Sequence, residues 1–249
     1  MARYPNAPTA WNRAGSDPKA VEIADKVVAN YGGMDKWAAV KQIQWGEAIV
    51  DQGKPPMEGE QAWDRWNART MGRLIGDHGD VVVRRELYGE YETAYGESGG
   101  KRQKMDDKES PPAIKVGVER WQFSSVALSA PFLMEEVGTV LKYNGQAAGD
   151  PGPDGQPTPI DMIGITFDAG EKARAGTSYV VGVDPKTNMI VRLEVVASGG
   201  NIAYKPDNLT EVNGMKFPTV EHNIGLPTEH IEFKNIKIGE PEDSLYSVF

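Results

Sequence analysis

The chain predicts a mainly β (α+β) protein: an antiparallel meander of about ten to eleven strands, with a helix at the N-terminus and one helical insertion in mid-chain. Three observations predict it. Apolar residues recur at helical spacing only near the start and again between about 110 and 137. From Lys41 the period switches to two, as in half-buried strands. Turn residues then punctuate the chain at short intervals. The 249 residues suit one large β domain, expected over 17–249 behind an extended lead-in of 1–16.

The first helix has start and stop signals. Asp17-Pro18 supplies an N-cap and a first-turn proline, Val21, Ala24, Val28 and Tyr31 form one apolar stripe, and Gly32-Gly33 ends it. A short second helix follows, with Trp37 and Val40 on one face. Ile43, Trp45 and Ile49 alternate on the first strand, and Gly53-Lys54-Pro55-Pro56 turns the chain. Residues 59–75 read as one long strand carrying Trp63, Trp66, Met71 and Leu74. After Gly76–Asp80, the run Val81-Val82-Val83 opens a third strand reaching about Tyr91.

Residues 96–110 are polar and read as a mobile stretch. Ser110-Pro111 signals a second long helix, with Ile114, Val118, Trp121, Ser125 and Leu128 at 4-3-4-3 spacing; Pro131 is expected to break it before Phe132-Leu133-Met134. Gly138 to Asn144 reads as a strand and 146–159 as a long loop rich in Gly and Pro. Strands then follow one another: Ile163, Ile165, Phe167; Tyr179, Val181, Val183; Val191, Leu193, Val195; Phe217, Val220, Ile224; and Ile231, Phe233, Ile236, Ile238. Asp184–Asn188 and Asn213-Gly214 make turns between them.

Composition excludes several functions. Lys and Arg total 27 against 36 Asp and Glu, a net charge of −9, so no nucleic-acid partner is expected and docking on anionic membranes is disfavoured. With no cysteine, disulfides, thiolate nucleophiles and Cys-bound metals are ruled out. No apolar run is long enough to span a bilayer, which predicts a soluble protein. The opening Met1–Pro8 has no apolar signal segment and reads like a mature chain with an added initiator Met, from which a signal or lipidated cysteine has been removed.

The stretch from Ala29 to Ile43, with its Gly32-Gly33 pair followed by Trp37 and Val40, resembles the opening of proteins related to the outer-membrane lipoprotein carriers of the LolA/LolB superfamily. Trp121 through Pro131-Phe132-Leu133 is similar to that group as well. So is the hairpin from Tyr179 through Asp184-Pro185-Lys186-Thr187-Asn188 to Met189. The resemblance implies a curved, incomplete antiparallel barrel whose open face is covered by helices, with acyl chains or other lipids received between sheet and helices. It implies a periplasmic carrier with no cofactor, working as a monomer with an envelope transporter or outer-membrane partner.

On that basis the expected apolar cavity and lid comprise Trp45, Trp63, Trp66, Ile114, Val118, Trp121, Leu128, Phe132, Leu133 and Met134. Each has a plainer alternative in ordinary core packing. Trp63 and Trp66, three apart on one strand, would face opposite ways, so that one of them lines the cavity. Arg65, Arg69 and Arg73 share a parity; a solvated face paired with acids such as Glu86 and Glu90 is the bland reading, and a headgroup contact through Arg65 or Arg69 the sharper one.

No catalytic set is visible. There is no serine elbow and no phosphate loop, Gly199-Gly200 lacking the required spacing. His78 sits in a turn, whereas His222 and His230 are placed to meet on adjacent strands; with Glu221 or Glu232 they are the one candidate for a hydrolytic metal centre, against which simple cross-strand pairing is the expectation. A surface-acting scaffold or sensor with a filled barrel is the remaining alternative.

Overall fold

The computed structural model describes residues 11–89, 91–151, 155–168, 177–196 and 201–247. Part of the lead-in, the centre of the 146–159 loop, Glu90 and Gly199-Gly200 lie outside them. Thirteen strands form one antiparallel sheet: β1 (Gln42–Asp51), β2 (Met57–Asp64), β3 (Arg69–Leu74), β4 (Asp80–Glu86), β5 (Glu92–Ser98), β6 (Lys101–Lys104), β7 (Thr139–Pro151), β8 (Pro157–Phe167), β9 (Ser178–Asp184), β10 (Met189–Val196), β11 (Ile202–Val212), β12 (Met215–Asn223) and β13 (Glu229–Gly239). Their order is β6-β5-β4-β3-β2-β1-β13-β12-β11-β10-β9-β8-β7, so the first and last strands pair at the centre and β6 and β7 are left as edges. The sheet curves without closing. Helices α1 (Pro18–Tyr31), α2 (Met34–Ala38) and α3 (Ser110–Leu133) pack on one of its faces.

The first helix forms as its sequence demands. The Asp17 carboxylate accepts the Lys19 N–H at 2.8 Å, Pro18 follows, and Gly32 closes the helix at φ 128°. Any other residue at 32 would be strained, and a side chain there would meet the Gly214 carbonyl at 2.5 Å. The face of α1 bearing Ala20, Ala24, Val27, Val28 and Tyr31 joins α3 and the inner sheet residues Ile43, Trp45, Trp63, Ile163, Val181, Leu193 and Phe217 in one continuous core. A second, smaller cluster of Ala62, Met71, Val82 and Tyr95 lies beneath Tyr246, just after a 3-10 turn at Asp243–Leu245.

Four segments differ from expectation. The single strand predicted over 59–75 is two, β2 and β3, joined by a tight turn: Asp64 accepts the Asn67 backbone N–H at 2.8 Å and its side-chain amide at 2.9 Å, and Ala68 takes a φ of 54°. The stretch 96–110 contributes the end of β5 and all of β6. Strands β7 and β8 run through most of the predicted 146–159 loop, because pairing with a neighbour satisfies the backbone even where side chains are small and exposed. Pro131 does not break α3. It sits in the last turn, leaving the Ala127 carbonyl without its usual helical donor, and the helix ends two residues later with the Leu133 carbonyl accepting the Thr139 hydroxyl at 2.8 Å.

Candidate functional site

The helix α3 lies across the concave face, and its sequence divides it in two. From Trp121 to Met134 every position except Gln122 and Phe123 is buried, with Ser124, Ser125, Ala127, Ser129 and Ala130 small enough to let the backbone approach the sheet. From Ser110 to Arg120 most positions are exposed or half-exposed; only Gly117 is buried, and a side chain there would meet Val83 of β4 at 2.7 Å. Beside this first half runs an open groove of about 500 Å³, lined by Glu92, Pro111, Ile114, Lys115, Val118, Glu119 and Gln122. Its wall is apolar at Pro111, Ile114 and Val118, and charged groups stand around it.

Two arginines tie the helix to the frame. Arg120 pairs with Glu47, a buried carboxylate on the inner face of β1, and donates to the Met57 carbonyl at 3.0 Å; Gln61 donates to the same Glu47 at 2.9 Å. Just beyond the C-terminal end of α3, Glu136 accepts Arg65 at 2.8 Å and the Trp37 indole N–H at 2.6 Å. Arg65 also donates to the Trp37 and Val40 carbonyls and stacks 4.3 Å from the Trp37 ring centroid. It lies in the β2–β3 turn, so strand parity does not govern its direction.

The predicted cavity residues therefore separate. Ile114 and Val118 line the groove. Trp45, Trp63, Trp121, Leu128, Phe132, Leu133 and Met134 are buried in the core. There the rings form a chain: Trp37 stacks on Phe132 at 4.8 Å, Trp63 meets Trp37 edge-on at 6.0 Å and Trp121 at 5.7 Å, and Phe132 contacts Phe217 at 5.8 Å. Trp66 stands in the β2–β3 turn, 61% exposed, with the Lys41 ammonium 5.5 Å over its ring. Of the headgroup candidates, Arg65 is held as above. Arg69 is on the convex face, bonded to Asp64 at 2.7 Å, paired with Asp243 and stacked on Tyr246.

The arginine next to the groove is one the parity argument passed over. Arg85 shares the inner face of β4 with Val81 and Val83, its Nε lies 2.8 Å from Glu92 at the groove wall, and its Nη1 is enclosed without a partner. The uninterrupted Val81-Val82-Val83 run hides this parity. Glu221 was also not singled out except as a metal ligand. It is 0% exposed on the inner face of β12, opposite Ile231, with neither carboxylate oxygen bonded, and burial pushes its pKa well above the ordinary range. Tyr31 and Tyr204, pushed up to about 12 chiefly by burial, also feel the Glu221 charge. Both acids were detectable in principle: Glu47 alternates with Ile43, Trp45 and Ile49, and Glu221 with Phe217.

His222 and His230 are direct cross-strand partners, with ring centroids 5.8 Å apart. Each faces its own carboxylate at 3.4 Å, Asp207 and Glu232 respectively. Among the described residues no three His, Asp or Glu side chains converge as a metal would require. No helix among them is long and apolar enough to cross a membrane.

No protein-family model and no curated protein matches the chain. Solved structures share its fold. A DUF1329 family protein from Desulfovibrio piger superposes with a TM-score of 0.51 at 11% identity, covering 94% of this chain and 98% of that one. A LolA superfamily protein from Nitrosomonas europaea gives a TM-score of 0.51 at 8% identity, covering 92% and 97%. The curved, unclosed sheet with covering helices is thus a LolA-like fold.

Proposed function

We propose that this chain is a non-enzymatic periplasmic carrier or sensor that holds a lipid, a lipoprotein acyl chain or a similar amphiphile against α3. The observation that carries the reading is the groove along the exposed half of that helix. It offers an apolar wall at Pro111, Ile114 and Val118 for a chain and the Arg85–Glu92 pair for a polar head, beside a sheet that does not close. Its volume of about 500 Å³ falls in the ordinary range for small-molecule sites. Each methylene withdrawn from water contributes about 0.8 kcal/mol, so roughly ten would contribute about 8 kcal/mol before the cost of immobilising the ligand is subtracted. Deeper entry, toward Trp45 and Trp121, requires the Arg120–Glu47 pair to part.

Purified protein is to be titrated with a fluorescent fatty acid, alongside mass spectrometry of lipids extracted from protein made in its own envelope. Saturable uptake, weakened by Val118→Asp, is expected; no uptake and no co-purifying amphiphile would sink the proposal. A second reading, a surface-acting scaffold or sensor, is favoured by the ring chain that fills the interior around Trp37. Under it Val118→Asp changes nothing, while Phe132→Ser harms stability alone.

A further inference from the structure

Strand β12 is held unevenly by its two neighbours. It runs beside β11 from Met215 to Asn223, but beside β13 only at Val220–Glu232, Glu221–Ile231 and His222–His230. Beyond that short ladder the strands diverge: Met215 to Thr219 have no register partner on β13, whose Phe233, Lys234 and Lys237 to Gly239 pair with β1. The hairpin end is tied by Asn223. Its Oδ1 accepts the Gly225 and Leu226 N–H groups at 2.9 and 3.1 Å, and its Nδ2 donates to Glu229 at 2.7 Å. The seam is thus pinned at Asn223 and free beyond Val220.

Glu221 occupies the middle register of this ladder, 0% exposed and with neither carboxylate oxygen bonded. An ionised carboxylate left there without a counter-ion is strongly destabilising, whereas the protonated acid is tolerated. The inner-face groups that sense its charge are Tyr31 of α1, whose hydroxyl accepts the Ile190 N–H at 3.3 Å, and Tyr204 of β11. Glu229, the other acid acting on Tyr204, is the one bonded to Asn223, and the α3 side chain against Tyr204 is the uncharged Phe123. His222 and His230 point to the convex side with Asp207 and Glu232. Among the described residues no cation offsets the burial of Glu221. As mere core filling a carboxyl is the wrong group, since methionine would take similar volume with no charge to bury.

We propose that Glu221 is a proton-operated catch on the β12–β13 seam. Protonated, it lies in the core and the ladder stays closed. Ionised, it admits water by parting β12 from β13 at the Val220 end, while Asn223 keeps the hairpin end together. One register pair, Val220–Glu232, separates it from the end of the ladder, so the opening is local rather than global. Burial raises its pKa, so the closed state is favoured below the folded value and the seam loosens as pH rises through it. The seam is apart from the groove, whose sheet-side residue is Glu92 of β5, and the catch stands independently of the carrier reading.

The test is hydrogen exchange of the full chain, read by mass spectrometry from pH 6 to 9, with each rate divided by the intrinsic chemical rate at that pH. In wild type the segment holding Val220–His222 should lose protection several-fold more across this range than the segment holding β1, which is paired along both edges. Glu221→Gln keeps the shape of the protonated acid and should remove that difference. The double change Val220→Cys with Glu232→Cys places the only two cysteines of the chain on register partners at the free end of the ladder. Its oxidised form should lose the excess and its reduced form regain it. Equal loss of protection over the whole sheet, or a pH dependence that persists in Glu221→Gln, overturns the proposal. So does an excess that survives in the oxidised double variant, which decides the matter even if Glu221→Gln fails to fold.

Discussion

The two halves of α3 belong to one helix and do opposite work. Residues 121–134 are sunk among Trp37, Trp63, Phe217 and the α1 stripe. In residues 110–120 Gly117 packs against Val83 and Arg120 pairs with Glu47, while Ile114 and Val118 stand beside an open groove. The contrast shows how a cover can be sunk in the core at one end and yet present an open face at the other, with the Arg120–Glu47 pair marking the boundary.

The largest expected effect breaks the anchored half. Phe132→Ala removes a ring stacked on Trp37 and tilted against Phe217 and should cost about 3–5 kcal/mol, read from urea unfolding. Next is the boundary. Glu47→Ala strands Arg120 and should cost about 3 kcal/mol, whereas the double change Glu47→Leu with Arg120→Met should recover most of it. If the double variant binds the fluorescent fatty acid more tightly than wild type, the pair restrains the helix as well as stabilising it. In the groove-side half, Val118→Asp should alter stability by less than about 1 kcal/mol while weakening fatty-acid uptake about tenfold or more. The smallest change is Trp66→Ala, exposed in its turn, expected within about 0.5 kcal/mol on stability and silent on uptake.

Glu221 adds a pH test of the deep core. Its folded pKa is raised above the ordinary value of 4.5. Between those two values the unfolded chain has released a proton that the folded chain retains, so stability falls as pH rises through that window, by up to about 1.4 kcal/mol per unit. Glu221→Gln should flatten that slope, as measured by urea midpoints from pH 5 to 8. A slope unchanged in the variant would assign the dependence to other groups, Glu135 first, whose carboxyl is raised to about 7 by burial and by its bond to Asp25.

Where local rules and global packing agree, the sequence was sufficient. Asp17-Pro18 and Gly32 bracket α1; the Asp184–Asn188 turn closes with Asp184 accepting the Lys186 N–H at 2.8 Å and the Thr187 hydroxyl at 2.9 Å. Alternation located β8, β9, β10, β12 and β13 but passed over β11, and the Ala29–Ile43 resemblance pointed to the fold that the solved structures share. What stayed hidden has physical causes. The Arg65–Ala68 turn has neither glycine nor proline and is built on the Asp64 carboxylate, so a period of two ran through it unnoticed. That one error put Arg65 and Trp66, which stand in the turn, on a strand, and gave Arg69 the parity of Trp63 although the two lie on opposite faces. In 146–159 residue preference favoured a loop, but the β7–β8 ladder prevailed. The separation of α3 into core and groove depends on which side of the helix the curved sheet reaches, and apolar spacing alone carries no such information.

The pairing of β1 with β13 sets the order in which the molecule can come together. Gln42 meets Gly239 and Asp51 meets Glu229 across nearly the whole length of the chain. While the ribosome is still making the C-terminal region, the first strand has β2 on one flank and bare amides on the other, beside Ile43, Trp45 and Trp63. Assembly must wait for the last strand to arrive, a high-contact-order step that is slow and leaves a sticky seam in the meantime. Truncation before residue 229 should accordingly yield aggregates rather than a smaller barrel.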